Sequence, residues 1–299
     1  MLNEEMLKNC NLCPRRCGVN RTGGETGYCG AGKDIKIARA ALHYWEEPPI
    51  SGKNGSGTVF FSYCNLGCVF CQNYKISHEH NGKIVTAEEL KDIFIGLQKD
   101  GANNINLVTP THYVPQIKTA LTEAKRDGLT VPILYNCGGY ESVEALKMLD
   151  GLIDIYMPDM KYYSDKYAVR YSNAPQYFYC ASKAIDEMYR QTGKNVFDKN
   201  GMMKRGVLVR HMLMPGMLFD SKKILDYLYG RYGDNIFISI MNQYTPMPGS
   251  AKYPEINRKV DKKYYETLVD YAGKIGITNA FVQSGEAIGE SFIPKFYNE

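Results

Sequence analysis

Short apolar, β-rich runs recur along the chain at 58–63, 104–110, 131–136, 153–160, 207–214 and 235–243, with a weaker one at 279–283. Each is continuously hydrophobic rather than alternating, the pattern of strands buried on both faces of a parallel sheet. Helical patterns fill the intervals. Thr86 and Glu89 form a T-x-x-E capping box ahead of Leu90, Ile93, Phe94 and Leu97, which share one helical face. Further helices are expected at 114–126, 141–149, 175–191, 221–231 with Asp220 as N-cap, and 261–274 with Tyr264, Leu268, Tyr271 and Ile275 buried.

Strand and helix thus alternate about six times, which predicts βαβ units in an α/β fold: too few for a full eight-stranded barrel, enough for an open one. Active sites in such folds lie at the carboxyl ends of the strands. The first fifty residues lack this rhythm. Glu46-Glu47-Pro48-Pro49, followed by the Gly- and Ser-rich stretch 51–57, reads as a loop or linker, so a boundary is expected near residue 50. Residues 1–50 become a Cys-rich metal-binding segment, and 51–299 the barrel with a carboxy-terminal cap.

Composition narrows the class. A chain of 299 residues that is 44% hydrophobic and 23% charged can bury a sizeable core without disulfides. The net charge of +4 is spread along the sequence, giving little support for a nucleic-acid surface and favouring a protein or small-molecule partner. No stretch reaches the roughly 18 apolar residues of a membrane span, and Met-Leu-Asn-Glu-Glu at the start lacks the regions of a signal peptide. A cytoplasmic protein is expected. Its nine cysteines are odd in number and bunched, which in a reducing compartment points to metal rather than disulfides.

Directly after the first strand stands Cys64-Asn-Leu-Gly-Cys68-Val-Phe-Cys71. Three thiolates on one loop can hold three irons of a 4Fe–4S cube and leave the fourth iron without a cysteine. Zinc is the competing reading, but zinc sites usually close with four ligands in paired C-x2-C form. On the strand ends that follow, Asp159 and Lys161 are two apart and project to the same side, as an acid and a base can to grip a zwitterion or simply to pair with each other. Arg210 offers a permanently charged fork for carboxylate or ribose oxygens, or else an internal ion pair. His112 reads as a hydrogen-bonding group in preference to a ligand or proton donor, and Cys180 as a small buried hydrophobe.

The C-x3-C-x-aromatic-C sequence, with Phe70 as the aromatic, resembles the signature of the radical S-adenosylmethionine (SAM) superfamily, over about residues 58 to 245. The resemblance implies a partial (β/α)6 TIM-like barrel in which SAM chelates the open iron, Phe70 lies near adenine and a 5′-deoxyadenosyl radical takes a hydrogen atom from the substrate. The Gly-Gly-Glu that many members use for the SAM ammonium is absent, so Thr109, Thr111 or backbone carbonyls would replace it. Met157-x-Asp159-x-Lys161 is similar to the matching strand of glycyl-radical-enzyme activases, including pyruvate formate-lyase activating enzyme. Carried over, this assigns Lys161 to the SAM carboxylate and places Asp159, Met157, Asn136 and Cys137 around a monovalent cation, with Asn136 standing where the family usually has aspartate. The strand from Val209 to Gly216 resembles the family's I-R-x-x-x-x-P-G strand, which brings Arg210 near SAM. At the sixth strand end the family's histidine is missing, and Asn242, Gln243 or Tyr244 would take over.

Cys10, Cys13 and Cys17, followed by Cys29, supply four thiolates, a closed set suited to structural zinc or to a second, saturated cluster, with Arg15, Arg16 and Arg21 nearby to stabilise them. This pattern resembles the front of PflX-type radical SAM proteins. Three functions stay open. The first is abstraction of a glycine Cα hydrogen in a partner glycyl-radical enzyme, with flavodoxin or ferredoxin as reductant. The second is radical modification of a small molecule, peptide or RNA base. The third is a non-catalytic iron–sulfur or zinc protein for electron transfer or redox sensing. The tail from Gly285 to Phe296 is a candidate contact surface or barrel cap.

Overall fold

The computed structural model describes residues 2–283 and 296–297. Ten strands and ten α-helices appear among them. The strands are β1 (Ile35–His43), β2 (Ser56–Phe61), β3 (Lys83–Val85), β4 (Ile105–Val108), β5 (Ile133–Cys137), β6 (Ile155–Pro158), β7 (Val196–Phe197), β8 (Met203–Met212), β9 (Phe237–Met241) and β10 (Ala280–Val282). The helices are α1 (Leu2–Lys8), α2 (Pro48–Ser51), α3 (Tyr74–Ser77), α4 (Ala87–Lys99), α5 (Val114–Arg126), α6 (Val143–Lys147), α7 (Asp165–Ser172), α8 (Tyr177–Thr192), α9 (Leu218–Tyr232) and α10 (Lys262–Lys274).

One sheet runs β10-β9-β8-β6-β5-β4-β2-β1-β3. Along this order every pairing from β2 to β10 is parallel, β1 lies antiparallel between β2 and β3, and β7 adds an antiparallel pairing to β8 off the main order. The two ends of the order do not pair, so the sheet is an open α/β barrel, and each expected run supplies one of its parallel strands. Strands β2, β4, β5 and β6 are buried at every position, the physical reason their hydrophobicity does not alternate.

Local chemistry sets the helix ends. Thr86 and Glu89 make the reciprocal capping box that starts α4, and Ser142 and Asp261 cap α6 and α10. Asp220 does not cap α9. It lies inside the first turn, and its carboxylate accepts the backbone N–H groups of Tyr163 and Ser164 at 2.8 and 2.9 Å, tying α9 to the loop after β6. In α10 the buried tyrosine is Tyr265, 5% exposed, while Tyr264 is 57% exposed; Leu268 is buried as expected, and Tyr271 and Ile275 are partly buried.

The first fifty residues contribute to the same core. Leu7, Leu12, Ala31, Ile35 and Ile37 pack in one cluster with Val59, Phe61 and Leu107. The Glu-Glu-Pro-Pro stretch is no exposed linker but leads into α2, whose Ile50 is fully buried against Leu134, Ile155, Met157 and Leu208. Because His43 pairs with Ser56, the first residue of β2, this segment enters at the amino ends of the parallel strands. No helix among the described residues is long and apolar enough to cross a membrane. The tail expected to cap the barrel lies outside the described residues up to Phe296, whose ring meets Phe60 edge-on at 5.5 Å.

Candidate active site

The carboxyl ends of the parallel strands surround a cavity of about 550 Å³, within the usual range for small-ligand sites. Cys68, Phe70 and Cys71 enter from the loop after β2, Asn136 from β5, Asp159 and Lys161 from the end of β6, Arg210 from β8, and Gln243 and Tyr244 from the end of β9. The expected site residues are therefore largely brought together.

Strand β2 ends in a sharp change of direction: Tyr63 has φ 74°, a left-handed conformation costly for a bulky residue and common at functional sites. The cysteine loop that follows is held from several sides. Backbone N–H groups of Gly67 and Val69 donate to the carbonyls of Ser172 and Tyr171, and Asn65 donates to the carbonyl of Tyr140. The Ser172 hydroxyl donates to Cys68 Sγ at 3.0 Å, and Ser77 Oγ lies 3.2 Å from Cys71 Sγ. Burial pushes all three thiols above the ordinary value, Cys71 to about 11, and Cys64 and Cys71 are raised further by their cysteine neighbours. Lys161 opposes that rise at each of the three. Clustered, buried thiols beside a lysine fit a site that becomes thiolate by binding a positively charged metal group. Among the described residues no three His, Cys, Asp or Glu side chains converge as a single ion requires. The C-x3-C-x2-C spacing in sequence remains the ground for reading the three as ligands of an iron–sulfur cube.

Lys161 Nζ lies 2.5 Å from Asp159 Oδ2, and Arg210 Nε donates to Asp159 Oδ1 at 2.9 Å. The other guanidinium nitrogens reach Asn136 Oδ1 at 2.8 Å and Glu46 Oε2 at 3.4 Å. Despite its burial, Asp159 titrates below the ordinary carboxyl range because Arg210 and Lys161 flank it. Arg210 thus occupies the Asn136 and Asp159 oxygens between which a monovalent cation was expected. Tyr177 braces the arrangement: its hydroxyl lies 2.8 Å from the carbonyls of Gly138 and Asp159 and accepts the Lys161 N–H at 3.0 Å. Gly139, at φ 78°, lets the β5 loop approach so closely that a Cβ there would meet the Asp159 carbonyl oxygen.

Some of the other expected residues fall around the cavity and some line it. Thr109 has a left-handed φ of 59° at the end of β4 and does not line the cavity. Thr111 donates its hydroxyl to Glu141 at 2.7 Å. His112 is buried, lies 2.7 Å by Nε2 from the Ser62 carbonyl and is held neutral by burial, with its pKa lowered to about 3. Phe70 lines the wall with Tyr244, centroids 5.8 Å apart, while the Gln243 carbonyl accepts from Gln72 and Tyr244 is anchored on the Ile256 carbonyl. Cys180 is half-buried in α8.

Two acidic residues of the cavity, and a serine that bonds to Cys68, were not anticipated. Glu46 and Glu47 looked like linker, and only the register of β1 on β2 reveals that they enter the lumen. Ser172 carried no signal beyond its place in a short helical stretch.

The amino-terminal cysteines lie close to one another and to the central loop. Cys13 is pushed up to about 12 by burial, with Cys29, Glu141 and Cys10 adding to the rise, and Cys29 is raised by burial with Cys10 and Cys17 contributing. Arg15 donates to the Asn65 carbonyl of the central loop at 3.0 Å and stacks over Tyr28 at 3.6 Å, while Asn173 donates to the Tyr28 hydroxyl. Arg21 is buried and donates to the carbonyls of Gly32 and His112.

Comparison with known proteins agrees with this geometry. Residues 58–228 match the family model described as the Radical SAM superfamily. An uncharacterised protein of Methanocaldococcus jannaschii is 29% identical over 286 residues, spanning 92% of this chain and 77% of that protein. Among solved structures, SuiB of Streptococcus suis bound to the precursor peptide SuiA superposes with a TM-score of 0.51 at 13% identity, covering 75% of this chain and 47% of SuiB. The FeFe-hydrogenase maturase HydG of Carboxydothermus hydrogenoformans gives 0.51 at 12% identity, covering 73% of this chain and 50% of HydG. At these identities the likeness concerns the fold, and the chain spans about half the length of either structure.

Proposed function

The chain belongs to the radical SAM superfamily, and we propose that within it this protein abstracts a glycine Cα hydrogen from a partner glycyl-radical enzyme. The observation that carries the reading is the Met157-x-Asp159-x-Lys161 strand end, which sets a buried lysine beside the three thiols and beside Arg210. In this reading Cys64, Cys68 and Cys71 would hold a 4Fe–4S cluster, which, reduced by flavodoxin or ferredoxin, would supply the one electron that splits SAM into methionine and a 5′-deoxyadenosyl radical.

The chain's own residues do the positioning. Lys161 leaves Asp159 Oδ2 to bind the SAM carboxylate, which frees Oδ2 for a monovalent cation, while Oδ1 keeps Arg210 in place. Phe70 and Tyr244 flank adenine, and the backbone around Gln243 supplies hydrogen bonds. Cys10, Cys13, Cys17 and Cys29 hold a second metal centre that fastens the amino-terminal segment to the central loop through Arg15.

Co-incubation of the reduced, SAM-supplied protein with a glycyl-radical enzyme of the pyruvate formate-lyase class tests the reading by electron paramagnetic resonance. A glycyl signal in the partner is expected. Absence of that signal, together with deuterium passing from a small molecule or peptide into 5′-deoxyadenosine, would move the function to the second class.

A further inference from the structure

The charged groups of the cavity form a line. The three thiols stand at one end, followed by Lys161, Asp159, Arg210, Glu46 and Glu47. Lys161 feels Asp159, Cys68 and Arg210, whereas Glu46 and Glu47 feel Arg210 first among their charged neighbours. The two glutamates are therefore at the far end from the cluster loop.

They are held there firmly. Asn104 donates to the Ile50 carbonyl at 2.8 Å and Asn103 to the Ser51 carbonyl at 2.5 Å, fixing α2 across the amino ends of the strands. Glu46 is satisfied: Oε1 accepts from Asn106 at 3.0 Å and Oε2 faces Arg210 at 3.4 Å. Glu47 is not. It is 9% exposed and lines the cavity; Ser239 and its own backbone N–H support the carboxylate, but its Oε2 has no hydrogen-bond partner.

Leaving one oxygen of a buried carboxyl unpaired is unfavourable, because its lost hydration is not replaced. The charge balance sharpens the point. Three carboxyls, on Glu46, Glu47 and Asp159, face two cations, Lys161 and Arg210, with His43 at the rim. Once Lys161 is engaged by a carboxylate, the far end of the cavity carries acid in excess. Burial raises the carboxyl pKa of both glutamates and Arg210 opposes the rise, so a cation arriving there would favour their ionised forms. The cavity wall beside them is aromatic: Trp45, 65% exposed, with the buried Phe60 and with Phe281. Apolar and aromatic walls leading to a buried carboxylate match an alkylammonium group, which gains an ion pair at its head and cation–π or apolar contact along its stem.

We propose that Glu47, backed by Glu46, recognises a protonated primary amine on the substrate, placing the substrate's charged end on the cavity floor opposite the cysteine loop. The proposal rests on the cavity being the chamber where substrate meets SAM, but not on the identity of the hydrogen abstracted. The amine can be that of a small molecule or of a lysine side chain in a peptide segment.

The test is a binding measurement that needs no turnover. Full-length, cluster-loaded protein with SAM and no reductant is titrated by calorimetry with cadaverine and with a blocked Gly-Lys-Gly peptide, and in parallel with 1-pentanol and the same peptide acetylated on its lysine. Trp45, the single tryptophan of the chain, gives a second signal at the rim. One of the two amines is expected to bind roughly tenfold or more tightly than its neutral counterpart, and Glu47→Gln to abolish that preference. Preference for cadaverine assigns a small-molecule source, and preference for the peptide a polypeptide source. Equal binding of charged and neutral probes, no binding of either amine, or an undiminished preference in Glu47→Gln would overturn the proposal. The wild-type comparison of charged and neutral probes stands even if the variant does not fold.

Discussion

Cys68 and Cys71 line a cavity shared with Lys161 and Arg210, with Cys64 on the same loop, whereas Cys10, Cys13, Cys17 and Cys29 lie outside that cavity, beside an Arg15 that bonds to the same loop. Both groups are cysteines at metal-ligand spacing, and burial raises thiols in each. What differs is the company. The central three face a lysine, an aspartate and open space; the amino-terminal four are braced by Arg15, Tyr28 and backbone hydrogen bonds such as Cys10 N–H to the Val19 carbonyl. A metal group in the first setting has room for a substrate at an open position, and one in the second has a structural place.

That contrast breaks most visibly by substitution. Cys68→Ala should bring SAM cleavage down to background, a loss of roughly a thousandfold or more, with about four irons lost per chain. Cys17→Ala should keep cleavage and lower thermal stability instead, measured by calorimetry on anaerobic protein. If Cys17→Ala also abolished cleavage while retaining the central cluster's spectrum, the division into open and closed settings would fail.

The open setting depends next on Lys161. Lys161→Met should leave the cluster intact and weaken SAM binding by about 3 kcal/mol, near a hundredfold, because a buried charge-assisted contact is lost. Equilibrium dialysis with labelled SAM reads this directly, and unchanged affinity would take the lysine out of the SAM site.

Near the amino-terminal setting, where it raises the Cys13 thiol, lies Glu141, which accepts from Thr111 and Tyr135 and is 2% exposed. Burial raises its carboxyl from the ordinary 4.5 to about 7. A carboxyl with a raised folded-state pKa binds its proton more tightly when folded. Its contribution is therefore fully present below about pH 4.5 and lost as pH rises through about 7, by about 3 kcal/mol in all. Urea midpoints should fall across that window in the wild type and lose this component in Glu141→Gln. The smallest effect is expected far from both settings: Thr86→Ala should cost about 1 kcal/mol through the cap of α4, with no change in SAM binding.

Much of this architecture was readable from local chemistry. Continuous apolar runs become strands because both faces of a parallel sheet are covered, and Thr86 caps α4 through contacts three residues away. The cysteine loop and the Asp159–Lys161 pair were legible for the same reason, since ligand spacing and strand alternation are local. Glu46 and Glu47 were not. Their meaning depends on β1 lying antiparallel to β2, a pairing between segments whose turn residues look like linker. The alternation of Ile35, Lys36 and Ile37 at the start of β1 is the signal that could have placed that strand. The shift from Tyr264 to Tyr265 in α10 has a similar origin, as two adjacent tyrosines give the helical period no preference that packing cannot override.

The most direct test of the account is the release of 5′-deoxyadenosine by anaerobically reconstituted protein given SAM and dithionite. Release that requires reductant and disappears in Cys68→Ala is predicted. A chain carrying its full iron and sulfide that binds SAM yet releases none would contradict the assignment of Cys64, Cys68 and Cys71 to radical chemistry.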